Sequence, residues 1–294
     1  MLKDRVEKAL ALLADCRLCP RECRVNRLAD ERGFCRTGRY AKVASAGPHF
    51  GEESPLVGHG GSGTIFFASC NLLCSFCQNY DISHLNEGIE VRADDLALMM
   101  VRLAGSGCHN INFVTPTHVV PQILEGLLAA AESGLSVPLV YNTGGYDSVA
   151  TLKLLDGIID IYMPDFKFWD ASYSERFCRA PDYRRRAVDA TTEMHRQVGD
   201  LVIDEDGLAR RGLLVRHLVM PNNVAGTREV MEFLAGSISS DTYVNVMDQY
   251  RPCFRADGDS MVNRPVTGAE FRRAVEAARG AGLTRLDPRK RFIM

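Results

Sequence analysis

From about residue 60 onward, short apolar runs alternate with longer segments whose apolar residues recur every three to four positions. The runs 64–68, 110–115, 137–142, 158–165, 215–220 and 243–247 predict strands. Between and after them, 94–104, 119–133, 148–155, a polar pair within 172–198, 227–235 and 268–278 predict helices. Strands apolar on successive residues are buried on both faces, so the alternation implies a parallel sheet covered by helices. About six such units predict an α/β fold of the partial (β/α)6 TIM-type barrel kind. In such barrels chemistry gathers where strands end, and Cys70, Thr115, Asn142, Asp165, Pro221 and Asp248 fall at or just beyond those ends.

The glycine-rich stretch Gly58-His59-Gly60-Gly61-Ser62-Gly63 reads as a boundary. It divides an N-terminal Cys-rich, metal-binding module, 1–57, from the barrel, 58–294. At 294 residues the chain can bury a large core. Its 35 basic and 37 acidic residues nearly cancel, so neither nucleic acid nor a membrane surface is an expected partner. Arg184-Arg185-Arg186 reads as the solvated face of a helix. The start MLKDRVEKALALLADC has no uninterrupted apolar core, which fits neither a secretory signal nor a membrane span and predicts a cytoplasmic protein.

Ten cysteines in a reducing compartment are not expected to pair as disulfides, and seven of them lie in two tight clusters. Cys70, Cys74 and Cys77 follow the first predicted strand, with no fourth thiol nearby in sequence. A closed structural site would use four ligands, so three thiolates leave one metal corner open for an exogenous ligand. Cys16, Cys19, Cys23 and Cys35 provide four soft donors at a spacing suited to zinc or a second iron–sulfur cluster. So small a module should fold on its metal. It serves either as an electron relay or as a structural knuckle. Cys108 and Cys178 read as small buried hydrophobes. Cys253 reads the same way, with a hydrogen-atom donor or a ligand on the proposed catalytic face as its alternatives. No metal spacing links His59, His118 and His217.

The loop Cys70-x3-Cys74-x-Phe76-Cys77 resembles the signature of the radical SAM superfamily, with Phe76 at the aromatic position. The phrases VTPTHVVP, YNTGGY, MPDFKF, RHLVMPN and MDQYRP make nearly the whole chain similar to the pyruvate formate-lyase activating enzyme-like branch. That resemblance implies a 4Fe-4S cluster on Cys70, Cys74 and Cys77 whose fourth iron binds S-adenosylmethionine. It also implies reductive cleavage to a 5′-deoxyadenosyl radical and hydrogen abstraction from a substrate, such as a glycine of a glycyl radical enzyme. Carried onto this chain, it implies cofactor contacts at Phe76, Thr115, Asn142, Thr143, Asp165, Lys167 and Arg216. Thr115-Pro116-Thr117 stands in place of the usual Gly-Gly-Glu, and neutral Asn142 in place of an acidic cation ligand. Oxygen sensitivity and a low-potential donor such as flavodoxin or ferredoxin are further implications. Fold and cofactor do not fix substrate, so modification of a small molecule, peptide or RNA remains open. So does a non-catalytic iron–sulfur or zinc relay protein.

Overall fold

The computed structural model describes residues 2–288. Nine strands form the sheet: β1 (Ala41–His49), β2 (Ser62–Phe67), β3 (Ile89–Val91), β4 (Ile111–Val114), β5 (Leu139–Thr143), β6 (Ile161–Pro164), β7 (Val202–Ile203), β8 (Ala209–Leu218) and β9 (Tyr243–Met247). Their order is β3-β1-β2-β4-β5-β6-β8-β7, with β9 also paired to β8. β2, β4, β5, β6, β8 and β9 run parallel, and they are the six strands the hydrophobic runs predict. Every residue of β5 and β6 is buried, as expected of strands covered on both faces.

The helices fall close to their predicted places: Ala93–Gly105, Val120–Glu132, Ala171–Cys178, Tyr183–Val198, Thr227–Phe233 and Gly268–Gly280. The predicted helix 148–155 is a single turn, Val149–Leu152, continued as the 3-10 turn Lys153–Leu155.

The antiparallel additions are what periodicity did not predict. β1 pairs with β2 and β3, and β7 pairs with β8. β1 contains Lys42, Ser45, Gly47 and Pro48, so it lacks the apolar run of a covered strand. The boundary expected at 57/58 therefore falls between two strands of one sheet. An N-terminal helix, Leu2–Ala11, packs against Val120–Glu132, which ties the chain's start to the same body. Among the described residues the pairing path is open: the second edge of β9 meets one bridge, Val244 to Leu286.

Candidate metal centre and ligand site

The cysteine loop leaves the C-terminal end of β2. Ser69 (φ 74°) and Leu73 (φ 50°) take left-handed conformations, which fold the segment back on itself. Ser69 N–H donates to Ile82 O at 3.0 Å, and Ser75 N–H to Phe177 O at 2.8 Å. Phe76 is buried between Phe168, Phe177 and Tyr250 at centroid separations of 5.9, 6.2 and 6.1 Å. Its ring thus anchors the loop in the aromatic core. The three thiols are electrostatic neighbours, Cys74 acting on both Cys70 and Cys77. Leu72 N–H donates to Cys70 Sγ at 3.3 Å, and the Ser83 hydroxyl to Cys77 Sγ at 3.2 Å.

Burial pushes the Cys70 thiol up to about 12 and raises Cys77 as well. Cys74 is raised further, first by its sulfur contact with Cys178 and then by burial. Thiols this reluctant to ionise are unsuited to act as free nucleophiles, but iron would deprotonate them. Three crowded soft donors with N–H and O–H groups already aimed at two of the sulfurs fit an iron–sulfur cluster.

Beside the thiols lies a chain of polar groups, Asn142 buried and Asp165, Lys167 and Arg216 half-buried, at the ends of β5, β6 and β8. Lys167 Nζ is 2.5 Å from Asp165 Oδ2, and Arg216 Nε is 2.7 Å from Asp165 Oδ1. Arg216 Nη2 donates to Asn142 Oδ1 at 2.7 Å. Burial pushes Asp165 up, yet Arg216 and Lys167 outweigh it and hold the carboxyl below the usual range. Lys167 is kept protonated by Asp165 and Cys74, against the penalty of burial. Cys74 lies within electrostatic reach of both Lys167 and Asp165. The packing explains why: a Cβ on Gly144 would meet Leu72 of the cysteine loop at 2.8 Å and the Lys167 side chain at 3.6 Å.

Of the sequence-predicted contacts, Asn142, Asp165, Lys167 and Arg216 are brought together next to the thiols. Thr143 is elsewhere engaged: its hydroxyl donates to Asp147 Oδ2 at 2.6 Å. Thr117 and Tyr141 donate to the other oxygen of Asp147, at 2.8 and 2.9 Å. Thr115 adopts a left-handed φ of 61° and turns the chain after β4, its N–H donating to Asn142 O at 2.9 Å. Glu52, unnoticed in sequence, is buried with Oε2 3.8 Å from Arg216 Nη1. It precedes a one-turn helix and carries no motif.

The N-terminal thiols are folded against this site. Cys16, Cys19 and Cys35 are buried as electrostatic neighbours. Cys23 is half-buried, its Sγ 3.3 Å from Phe34 N, beside Gly33. Arg27 is fully buried near Cys16 and Cys35, with Nη1 donating to His118 O at 2.7 Å and Nη2 lacking a partner. Asn71, within the three-cysteine loop, lies beside Cys19 and donates its side-chain N–H to Tyr146 O at 2.7 Å. Arg21 joins the two regions by donating to Asn71 O at 2.9 Å and Cys178 O at 2.8 Å. Among the described residues, no three or more Cys, His, Asp and Glu side chains converge as a ready-made site for a metal ion. Cys253 is half-buried near Tyr250, and Cys108 is buried in the main core.

The molecule is thus a mixed α/β protein with a parallel six-strand core, a three-thiol loop at one strand end and a paired carboxylate and two cations beside it. The chain belongs to the same family as the uncharacterized protein MJ0674 of Methanocaldococcus jannaschii, with which it is 33% identical over 288 residues. The alignment covers 95% of this chain and 78% of that relative. No protein-family model matches the chain. A crystal structure of HydG, a maturase of the FeFe-hydrogenase, aligns with a TM-score of 0.49 at 15% identity. It covers 75% of this chain, which spans about half, 49%, of the HydG chain, a likeness too weak to argue from. Among the described residues no helix is long and apolar enough to cross a membrane.

Proposed function

We propose that this protein is a radical SAM enzyme built on an incomplete (β/α)6 barrel. In this reading Cys70, Cys74 and Cys77 hold a 4Fe-4S cluster, and S-adenosylmethionine takes the open iron. The observation that carries it is that Cys74, buried in the three-cysteine loop, lies within electrostatic reach of Lys167 and Asp165, which join Arg216 and Asn142 at adjacent strand ends. When bound, cluster and S-adenosylmethionine together supply one electron and a 5′-deoxyadenosyl radical for hydrogen abstraction.

The chain's own residues bind and orient. Lys167 and Arg216 are the permanent cations beside the thiols, suited to the methionine carboxylate, while Asp165 keeps both protonated and in register. Asp165 is also suited to the ribose hydroxyls of the nucleoside. Thr115, in its left-handed turn, presents backbone oxygen rather than a side chain to the ammonium group. Phe76 contributes by fixing the loop from below. The activating-enzyme resemblance makes a glycine on a glycyl radical enzyme the first substrate to test, with a low-potential flavodoxin or ferredoxin as electron donor.

The Cys16, Cys19, Cys23 and Cys35 set is proposed as a second metal site, zinc or iron–sulfur. Its support is the grouping of three buried thiols, with the buried Arg27 cation beside Cys16 and Cys35, where it would offset thiolate charge. The test is anaerobic reconstitution followed by metal analysis and a 5′-deoxyadenosine assay with dithionite and S-adenosylmethionine. Cleavage is expected in the wild type and its loss, by at least about a hundredfold, in Cys70→Ala, Cys74→Ala and Cys77→Ala, given that each removes a metal ligand. The corresponding N-terminal variants are expected to lose the second metal while keeping the absorption of the first cluster. Wild-type protein that assembles a cluster but neither binds nor cleaves S-adenosylmethionine would refute the reading.

A further inference from the structure

Cys178, which the sequence presents as an isolated packing residue, lies with its Sγ 3.3 Å from Cys74 Sγ, the donor direction running from Cys178 to Cys74. Both residues are buried, at 1% and 8% exposure, so no water competes for the contact. The position is held from several sides. Cys178 ends the helix Ala171–Cys178, and Arg179 turns the chain away in a left-handed conformation at φ 52°. Phe177 O accepts from Ser75 N at 2.8 Å, which locks the helix end to the cysteine loop one residue from each sulfur. Arg21 reaches Cys178 O at 2.8 Å from the N-terminal thiol region. Phe177 itself is stacked on Phe168 at 6.1 Å and meets Phe76 at 6.2 Å.

The geometry points to Cys178 as a positioning residue of the metal centre: a thiol that stays unligated and donates an S–H···S hydrogen bond to the Cys74 sulfur, raising the cluster's reduction potential. This rests on the proposed cluster. Its physical basis is that reduction adds negative charge, which a donor aimed at a ligand sulfur stabilises. The three-cysteine loop has a backbone N–H at Cys70 and a hydroxyl at Cys77. Cys178 gives the third sulfur a donor of its own, so each thiolate corner receives one.

The test is a potentiometric titration of the reconstituted, S-adenosylmethionine-free cluster, read by optical and electron paramagnetic resonance spectra. Cys178→Ala removes the donor at nearly constant volume and is expected to shift the midpoint to lower potential with iron and sulfide content unchanged. Cys178→Ser retains a donor and is expected to recover most of the shift. In cluster-free protein, the hydrogen-bonded S–H stretch assigned by its loss in Cys178→Ala is expected to move in Cys74→Ala. A midpoint that ignores Cys178→Ala overturns this proposal alone, and so does an S–H band indifferent to Cys74. Iron lost from Cys178→Ala would make Cys178 a ligand and overturn it too. If the wild type assembles no iron–sulfur cluster, both this proposal and the functional reading fall.

Discussion

His118 and His217 illustrate how burial dominates the behaviour of a side chain. His118 Nε2 donates to Ala68 O at 2.9 Å, and burial pulls the imidazole down to about 3. His217 lies between Phe166 O and the Thr227 hydroxyl at 2.8 and 2.9 Å, and burial lowers it to about 4. In the unfolded chain each would titrate at its ordinary 6.5. Below that pH the unfolded state binds more protons, so the folded state is fully favoured above 6.5 and loses stability as pH falls toward 4. Each histidine should contribute a slope of up to about 1.4 kcal/mol per pH unit in that window. Urea unfolding at successive pH values should show the decline, and His217→Gln should flatten it. Asp165 acts in the same direction at lower pH, because its depressed carboxyl is lost to protonation only after the histidines have begun to charge. None of this was readable from the residues themselves, since sequence places a histidine near a strand but does not report its solvent exposure.

At the scale of elements, turns decide whether the ligand-side residues meet. The β5 turn Thr143-Gly144-Gly145 has Gly145 at φ +77°, where an added Cβ would lie 2.3 Å from Asp165 O. Gly145→Ala combines a left-handed backbone with a clash against the main chain carrying the central carboxylate. It should destabilise the fold by more than about 1 kcal/mol, measured by denaturant midpoint. It should also weaken S-adenosylmethionine binding beyond what the stability loss explains. The parallel strands and most helices were legible because covered strands and amphipathic helices carry their burial in their periodicity. β1, β3 and β7 were not, because they are short or polar members whose pairing depends on a neighbour far along the chain. Two-residue alternation places Asp165 and Lys167 on one side of the chain, and just beyond the end of β6 at Pro164 the two side chains pair at 2.5 Å.

For the whole molecule, the formal charge of −2 conceals a local asymmetry. A cavity of about 490 Å³ reaches Leu73 and Ser75 on the outer side of the cysteine loop, with Arg176, Arg179, Arg255 and His84 in its lining. Arg176 is neutralised by Asp259 at 2.7 Å, while Arg36 adds a further exposed guanidinium hydrogen-bonded to His84 O. A reductant with an acidic surface would meet this basic rim beside the cysteine loop, at Leu73 and Ser75. Electrostatically steered association of this kind falls steeply with ionic strength. Stopped-flow reduction of the reconstituted protein by an acidic flavodoxin should therefore slow as salt is raised. The double variant Arg179→Glu and Arg255→Glu should slow it about tenfold at low salt and remove most of the salt dependence.

Sequence by itself determined the alternating architecture and the close spacing of three thiols in one loop, because periodicity and spacing are local properties of the chain. It also determined which residues stand at strand ends. Only the tertiary structure decided that Cys178 lies against Cys74, that Asp147 consumes Thr143, and that Arg21 and Asn71 join the N-terminal thiols to the loop. Thr143 and Asp147 are only four residues apart, but the Arg21–Asn71 and Cys178–Cys74 contacts join elements 50 and 104 residues apart in the chain. No local pattern records such a meeting, because it exists only once the helix ends, turns and rings of a dense core have found a common arrangement.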